Sequence, residues 1–182
     1  RARRKGKAAE REAGRRWSLK PAALACAGGA LLLSVFIILI MNAIAAETLL
    51  AKRNFYGVSR VWEMNADDLK LRAYQLTHGR TVHGFQFTDK TFSILPTTFY
   101  AENSGVGLAF SYHPRRPDSL RVGALGMGIG VVSAYGEAGD AFRFYEIDPN
   151  VISIAGGEGD YFSFLSNCAA DVQVIPGDAR VS

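Results

Sequence analysis

The sequence predicts a mixed α/β fold in three parts: an N-terminal transmembrane helix, a small antiparallel β subdomain and the first part of an open parallel sheet. Three observations carry this prediction. Residues 22–46 form a long run without a charged side chain. Short apolar segments separated by turn residues follow over residues 54–91. From residue 121 onward, apolar segments alternate with glycine turns and a helix signal, which is typical of a parallel sheet.

The charge of the chain is concentrated at its beginning. Residues 1–20 hold nine Lys or Arg and two Glu, a net charge of +7, whereas residues 21–182 hold twelve Lys or Arg and fifteen Asp or Glu, a net charge of −3. The first segment has no apolar periodicity, so we predict a solvated, basic juxtamembrane loop over 1–20. The rest is slightly acidic, which argues against a nucleic-acid partner, because such proteins carry positive charge on the folded surface.

Residues 21–50 are predicted to contain a single transmembrane helix. The 25 uncharged residues 22–46 can cross a hydrocarbon core of about 30 Å at a rise of ~1.5 Å per residue. A signal peptide has a shorter apolar core, of about 7–15 residues. A buried helix of a soluble domain is the alternative.

Residues 51–95 are predicted to form a β subdomain with a meander of three or four strands. Val58–Trp62 is one expected strand, and Thr81–Phe87, interrupted at Gly84, is another. Apolar residues alternate with Lys70, Arg72 and Tyr74 over 69–74, which predicts a half-buried strand there. Residues 77–80 are expected to form a turn.

Residues 96–182 are predicted to form the parallel sheet and its helices. The expected strands are Arg121–Leu125, Ala141–Ile147 and Val172–Ile175. The expected helices are a short one over 104–110, one that follows the glycines after Leu125, one that begins at Pro149, and a short piece over 161–165.

The glycines after the first of these strands predict a nucleotide-binding turn. Gly126, Gly128 and Gly130 alternate, and Val131 stands where the dinucleotide fingerprint has its last glycine. The Gly-Lys-Ser/Thr of a P-loop is absent. The spacing is that of S-adenosylmethionine-type folds, so we expect 96–182 to be part of a Rossmann-like, doubly wound sheet of the S-adenosylmethionine-dependent methyltransferase type.

Two acids complete this predicted site. Glu146 ends the second strand, twenty residues after Gly126, where an acid can reach ribose hydroxyls. Asp178 follows the third strand and can accept a hydrogen bond from an adenine amino group.

The cysteines and histidines give weaker signals. Cys26 and Cys168 lack metal-ligand or CxxC spacing, so no disulfide framework, metal site or redox role is expected. His78 and His83 are spaced poorly for shared metal ligation. We expect them to make turn and loop hydrogen bonds near the mouth of a cleft, with an acid/base role as the alternative.

Seven short motifs of this sequence resemble motifs of the spermidine synthase family, the polyamine aminopropyltransferases, and occur in the same order along the chain. The resemblance is strongest to the membrane-associated branch, in which transmembrane helices precede the synthase-like domain. The motifs are Arg53–Gly57, His78–Gln86, Pro96–Tyr100, Ser104–Leu108, Gly126–Gly130, Tyr145–Pro149 and Gly177–Arg180.

The resemblance implies polyamine biosynthesis by transfer of an aminopropyl group from decarboxylated S-adenosylmethionine to a diamine such as putrescine. It implies that the three glycines surround the nucleoside, that Glu146 binds the ribose and that Asp178 binds the adenine. Gln86 and Tyr100 would face the diamine, although the Tyr-His-Glu stretch of soluble members is replaced here by Phe99-Tyr100-Ala101-Glu102. No metal is implied, and a homodimer is compatible with the family.

The resemblance also implies a catalytic aspartate on a fourth strand, which would follow Ser182. We therefore expect these 182 residues to be a fragment that binds substrates without transferring the aminopropyl group. An S-adenosylmethionine-dependent methyltransferase, or a non-catalytic nucleotide-binding module of a polytopic membrane protein, are the alternatives. Acidic residues are often found two positions before the first glycine of methyltransferases, and Ala124 here favours the first function.

The orientation of the span raises a conflict. The nine cations before it place the N-terminus on the cytoplasmic side. A single crossing would then put the following domain outside, away from cytosolic adenosylmethionine. We expect a membrane protein with a cytoplasmic domain, because the cofactor is cytosolic.

Overall fold

The computed structural model describes residues 2–116 and 118–181, and for residues 2–20 and 46 it describes the backbone alone. The chain divides into two compact units, residues 1–46 and residues 47–182. The second unit contains two sheets, one antiparallel with four strands and one parallel with three.

The first unit is a single helix, α1, which runs on to Glu47. It begins at Ala2, so the predicted loop over 2–20 is wrong; the Ala, Arg, Lys and Glu of this segment are strong helix formers. Pro21 lies inside the helix, where it removes one backbone hydrogen bond. In the described part of the chain, one stretch, Pro21–Ala45, is long and apolar enough to cross a membrane, and its side chains are exposed.

The antiparallel sheet is a meander in the order β1-β2-β3-β4, as predicted. Its strands are β1 (Thr48–Asn54), β2 (Gly57–Met64), β3 (Ala73–His78) and β4 (Thr81–Phe87). The sequence missed β1, whose first residues fall within the segment 21–50 assigned to the span. Its polar residues do not alternate with large apolar ones, so no strand period is visible.

The prediction of a half-buried strand over 69–74 is wrong for residues 69–72, whereas residues 73 and 74 begin β3. Asp68 folds this segment into a turn, because its carboxylate accepts hydrogen bonds from the amides of Lys70 and Leu71, at 2.9 and 3.2 Å. Leu69 is 79% exposed, so the apolar alternation there reflects no buried face.

The parallel sheet has the order β5-β6-β7, with β5 (Arg121–Leu125), β6 (Ala141–Glu146) and β7 (Asp171–Pro176) in parallel register. Two short helices accompany it, α2 (Gly105–Ser111) and α3 (Pro149–Ala155). Pro149 lies in the first turn of α3, as expected. The architecture is therefore mixed α/β, with an N-terminal apolar helix, an antiparallel sheet and a parallel sheet.

Two predicted helices are not formed. The glycines after β5 lead into a five-residue 3₁₀ helix, Val131–Tyr135, because Gly130 is left-handed at its start and Gly136 ends it. A side chain at Gly136 would meet Cys168 Sγ at 2.5 Å, so close packing explains the glycine that ends this helix. The segment 161–165 forms no helix: residues 161–163 are irregular and a turn begins at Phe164, while Phe162 and Phe164 enter the core.

The core lies between the two sheets. Phe142 and Phe144 of β6 pack with Val61 and Leu76 of the antiparallel sheet and with Ile154 of α3. Each of these side chains is at most 1% exposed. Burial of this size is the main stabilising term of the domain, at about 1.5–3 kcal/mol for each large apolar side chain.

Candidate functional site

The three loops that follow the parallel strands meet at one edge of the sheet. The amide of Gly126, after β5, donates to Tyr145 O at 2.8 Å, and the amide of Gly177, after β7, donates to Glu146 O at 2.8 Å. Ligands of open α/β sheets bind at this carboxyl edge. The sequence-predicted glycines, Glu146 and the loop that holds Asp178 are therefore brought to a common edge.

The three glycines have different surroundings, although all have positive φ (+87°, +56° and +79°). A Cβ at Gly130 would lie 2.7 Å from Leu165 Cδ2, so packing explains this glycine. A Cβ at Gly128 would lie 3.0 Å from His83 O. Gly126 faces open space, with nothing within 4 Å of a Cβ. Of the three, Gly126 leaves the most room for a ligand.

The glycine loop is held against strand β4 of the other sheet. β4 has a bulge, because Leu76 pairs with Gly84 and Thr77 pairs with Val82, which leaves His83 without a partner on β3. Gly84, with φ of +128°, makes room for Ile129, which would lie 3.0 Å from a Cβ there. The irregularity that the sequence predicted at Gly84 thus positions the loop.

The backbone amides of the loop are partly used. Gly126 and Gly130 donate within the protein, Gly130 to Met127 O at 2.9 Å. Within the described residues, the amides of Gly128 and Ile129 have no hydrogen-bond acceptor. These two amides can donate to a ligand oxygen. The N-terminus of an α-helix does not contribute here, since a 3₁₀ helix follows the loop.

Glu146 closes the loop from the end of β6. Its Oε2 accepts from Met127 N at 2.9 Å, and its Oε1 accepts from Ile147 N at 2.8 Å and Asp148 N at 2.9 Å. The residue is 8% exposed. Three backbone donors fix both oxygens, and a carboxylate has about four acceptor positions, so capacity for a ligand hydroxyl remains.

Asp148 joins the two sheets. It caps α3, accepting from Asn150 N at 2.8 Å through Oδ1, and Asn54 Nδ2 at the end of β1 donates to the same oxygen. The other oxygen, Oδ2, lies 3.6 Å from His78 Nε2. Both of these atoms are buried and lack a hydrogen-bond partner. Sequence reasoning missed Asn54 and Asp148 as site residues, although both stand in the quoted motifs.

The two histidines lie side by side at this junction, with ring centroids 5.8 Å apart. Burial and the neighbouring His78 lower the pKa of His83 below 6.5, and Glu146 and Asp148 act in the opposite direction. His83 is therefore a neutral imidazole at pH 7. The expectation of simple turn hydrogen bonds misses this cluster, because His78 makes no hydrogen bond through Nε2.

Asp178 lies beyond the end of β7 and is held by its own loop. Arg180 donates to it from the guanidinium, and the Arg180 amide does so at 3.0 Å. These bonds lower the pKa of Asp178 to about 2. Arg180 competes with any ligand for this carboxylate, but its side chain is 86% exposed and can move away.

Gln86 is buried at 2% exposure and links β4 to the segment after α3. Its Nε2 donates to Ser93 O at 2.7 Å and Ser163 Oγ at 3.1 Å, and its Oε1 accepts from Ser163 N at 2.8 Å. The side chain is thus engaged on both ends by the protein. Its position supports the fold, and a ligand would have to displace these bonds.

Tyr100 lies in the 3₁₀ helix Thr98–Tyr100 and packs partly buried against the core. Its carbonyl oxygen accepts from the hydroxyl of Tyr135. The preceding Thr98 has φ of +58°, a strained conformation for a β-branched residue. The contact with Tyr135 does not bring the side chain of Tyr100 to the glycine loop.

Other features lie away from this edge. A cavity of about 420 Å³ is lined by Phe110 and by Arg121, Val122 and Gly123 at the amino end of β5, opposite the glycine loop. Its lining has no acid, so it does not suit a cationic substrate. Among the described residues, no group of three or more His, Cys, Asp or Glu could hold a metal ion, and both cysteines are free.

Neither a scan against protein-family models nor a search of curated proteins finds a match to this chain.

Proposed function

We propose that residues 47–182 form a spermidine synthase-like aminopropyltransferase domain with a Rossmann-like sheet. The donor is decarboxylated S-adenosylmethionine, and the acceptor is a diamine such as putrescine. The observation that carries the proposal is the meeting of the glycine loop, Glu146 and the Asp178 loop at one edge of the parallel sheet.

The charges of this edge suit the substrates. Glu146 and Asp148 are buried carboxylates, and the neighbouring His83 is neutral because its pKa is lowered. A sulfonium and a diammonium are both cations, and a cleft of negative sign attracts them. Glu146 would accept from the ribose hydroxyls, and Asp178 from the adenine amino group once Arg180 moves.

The proposed setting is the membrane. The apolar helix over 21–45 anchors the domain, which faces the cytoplasm, where adenosyl substrates are made. The partner is a small diamine rather than a nucleic acid, and a homodimer fits the same function. A reporter fused after Ser182 tests the orientation; an external reporter signal would contradict it.

A second function has one specific observation in its favour. The amides of Gly128 and Ile129, which have no acceptor in the described chain, can donate to a carboxylate. Ordinary S-adenosylmethionine carries this carboxylate, and the decarboxylated form does not. A methyltransferase-like domain, or a non-catalytic adenosyl-binding module, would therefore prefer the ordinary form.

Isothermal titration calorimetry with both forms of adenosylmethionine tests the proposal on the full chain in detergent micelles. We expect tighter binding of the decarboxylated form. Glu146→Ala removes a charged acceptor worth about 1.5–3 kcal/mol, so the affinity should fall about 10- to 100-fold. Asp171→Ala at the opposite edge of the same sheet is the matched control and should leave the affinity unchanged.

Tighter binding of ordinary adenosylmethionine would contradict the aminopropyltransferase function and support the second function. Binding of neither form would reject an adenosyl site at this edge.

A further inference from the structure

Asp148 and His78 face each other with one unsatisfied atom each. Asp148 Oδ2 and His78 Nε2 are 3.6 Å apart, both are buried, and neither has a hydrogen-bond partner. The Asp148 side chain is 4% exposed, whereas that of His78 is 22% exposed. A buried unpaired polar atom costs about 1–3 kcal/mol, so two such atoms facing each other require an explanation.

The surroundings fix this geometry. Asn54 Nδ2 and Asn150 N hold the Oδ1 atom of Asp148, which aims Oδ2 at the imidazole. The ring of His78 lies over Gly57, where a Cβ would be 2.6 Å from Nε2. Only glycine allows the ring to occupy this position. Two separate elements therefore orient the carboxylate and the imidazole toward each other.

We propose that Asp148 and His78 are a proton-accepting dyad for the transfer reaction, in which Asp148 is a positioning residue and His78 takes the proton. This inference rests on the proposed function. A hydrogen on Nε2 points at Asp148 Oδ2, and Nδ1 keeps its lone pair. Catalytic hydrogen bonds are often long without substrate and shorten when it binds, which fits the separation of 3.6 Å.

The chemical step needs such an acceptor. The amine nitrogen of the acceptor attacks the methylene carbon next to the sulfonium, so that a carbon–nitrogen bond forms and the carbon–sulfur bond breaks. The sulfur leaves with the electron pair as a neutral thioether. The new ammonium loses one proton to Nδ1 of His78, and the resulting imidazolium faces the carboxylate of Asp148, as in other Asp–His pairs.

The neighbouring charges support proton uptake at this point. The ring of His83 on β4 lies at 36° to that of His78, with centroids 5.8 Å apart. Glu146 and Asp148 at the end of β6 lie close enough to oppose the lowering of the pKa of His83. One carboxylate and one neutral imidazole therefore lie beside the proposed acceptor. The family resemblance assigns the proton to an aspartate on a fourth strand and implies binding without transfer for these 182 residues. The dyad predicts instead that they transfer the aminopropyl group, and the assay below separates the two expectations.

Two measurements on the full chain in detergent micelles test the dyad. Nitrogen-15 NMR of the histidine rings should show His78 with its hydrogen on Nε2, and Asp148→Asn should abolish this preference. A transfer assay with decarboxylated adenosylmethionine and putrescine should show turnover by the wild type. His78→Gln should lower kcat about 100-fold or more with adenosyl affinity unchanged.

Asp148→Asn removes the charge that faces the imidazolium, so it should lower kcat. His113→Gln in the exposed loop after α2 is the control and should leave kcat unchanged. The wild-type NMR signal keeps the test valid if a variant fails to fold.

The dyad is overturned if the wild type binds an adenosyl ligand but does not transfer the group, if His78 lacks the hydrogen on Nε2, or if His78→Gln leaves kcat unchanged. The proposed binding site is unaffected by these outcomes. Failure of wild type to bind either adenosylmethionine rejects the proposed function, and the dyad with it.

Discussion

The amide of Met127 donates a hydrogen bond of 2.9 Å to Oε2 of Glu146, across the gap between the loop after β5 and the end of β6. Glu146 also accepts from the amides of Ile147 and Asp148. A residue expected to bind a ligand thus also shapes the loop that the ligand would approach. Ligand binding and stability must therefore be measured separately for each variant of Glu146.

Glu146→Ala should destabilise the domain by about 1–3 kcal/mol, because three backbone amides lose their acceptor. Glu146→Gln keeps one oxygen and should cost less. Chemical denaturation followed by near-ultraviolet circular dichroism measures both. Equal free energies of unfolding for wild type and the alanine variant would show that the carboxylate does not hold the loop.

Gly130→Ala should destabilise more than Gly126→Ala. Both have positive φ, at a cost of about 1–2 kcal/mol for a side chain, but only position 130 also meets Leu165, at 2.7 Å. Gly126→Ala should instead weaken adenosyl binding, since its open side is where a ligand can approach. Gly123→Ala in β5, with open space and no positive φ, is the control. The reverse order of stabilities would contradict this assignment.

Asp140→Asn should cost about 1.5–3 kcal/mol at neutral pH, because Arg116 loses a charged hydrogen-bond acceptor and keeps the exposed Glu137 as its charged partner. Burial acts to raise the pKa of Asp140, but hydrogen bonds from the Leu120 and Glu137 amides and from Arg116 outweigh it and lower the pKa. The folded pKa lies below the unfolded 3.8, so this stability is present above that pH and is lost as the pH falls through the folded value.

Denaturation curves from about pH 2 to pH 7 test this prediction. The exposed Arg143–Asp171 pair supplies the control, since Asp171→Asn should change the free energy of unfolding by about 0–1 kcal/mol. A cost of that size for Asp140→Asn would count against a structural role for the buried pair.

His83→Gln should flatten the acid dependence of stability. The folded pKa of His83 is lowered below the unfolded 6.5 by burial and by His78, so between the two values the unfolded chain binds more protons. The free energy of unfolding therefore falls as the pH drops from about 6.5 through the folded value, and it is level above. Thermal unfolding between about pH 5 and pH 8 shows the slope, with His113→Gln as the control. A slope that His83→Gln leaves unchanged would assign it to another group.

Much of the fold was predictable because it depends on local signals. Turn residues separate the apolar segments of the meander, Pro149 marks the start of α3, and short apolar segments mark the parallel strands. The meander, both short helices and the three parallel strands were therefore predicted. The errors came where local signals compete. The alternation over 69–74 is real, but the Asp68 side chain captures the backbone amides first.

The candidate site was predicted only in part, for a different reason. Spacing along the chain indicates which residues follow parallel strands, and it found the glycines, Glu146 and Asp178. It carries no information on pairs that are far apart in sequence, such as Asn54 with Asp148 or Gln86 with Ser163. The family resemblance, not the spacing, implies that Gln86 and Tyr100 face a diamine. In the folded chain Gln86 bonds to Ser93 and Ser163, and the carbonyl of Tyr100 accepts from Tyr135.

The sequence by itself determined the apolar helix, the β meander and the three parallel strands, since hydrophobic periodicity and turn residues are properties of short segments. Only the tertiary structure decided which carboxylates can still accept a hydrogen bond from a ligand and which histidine has a carboxylate beside it. The bulge at His83 and the cap at Asp148 lie on different sheets, and packing of the shared core brings them together. Burial then decides the charge of His83, because water no longer stabilises its imidazolium form.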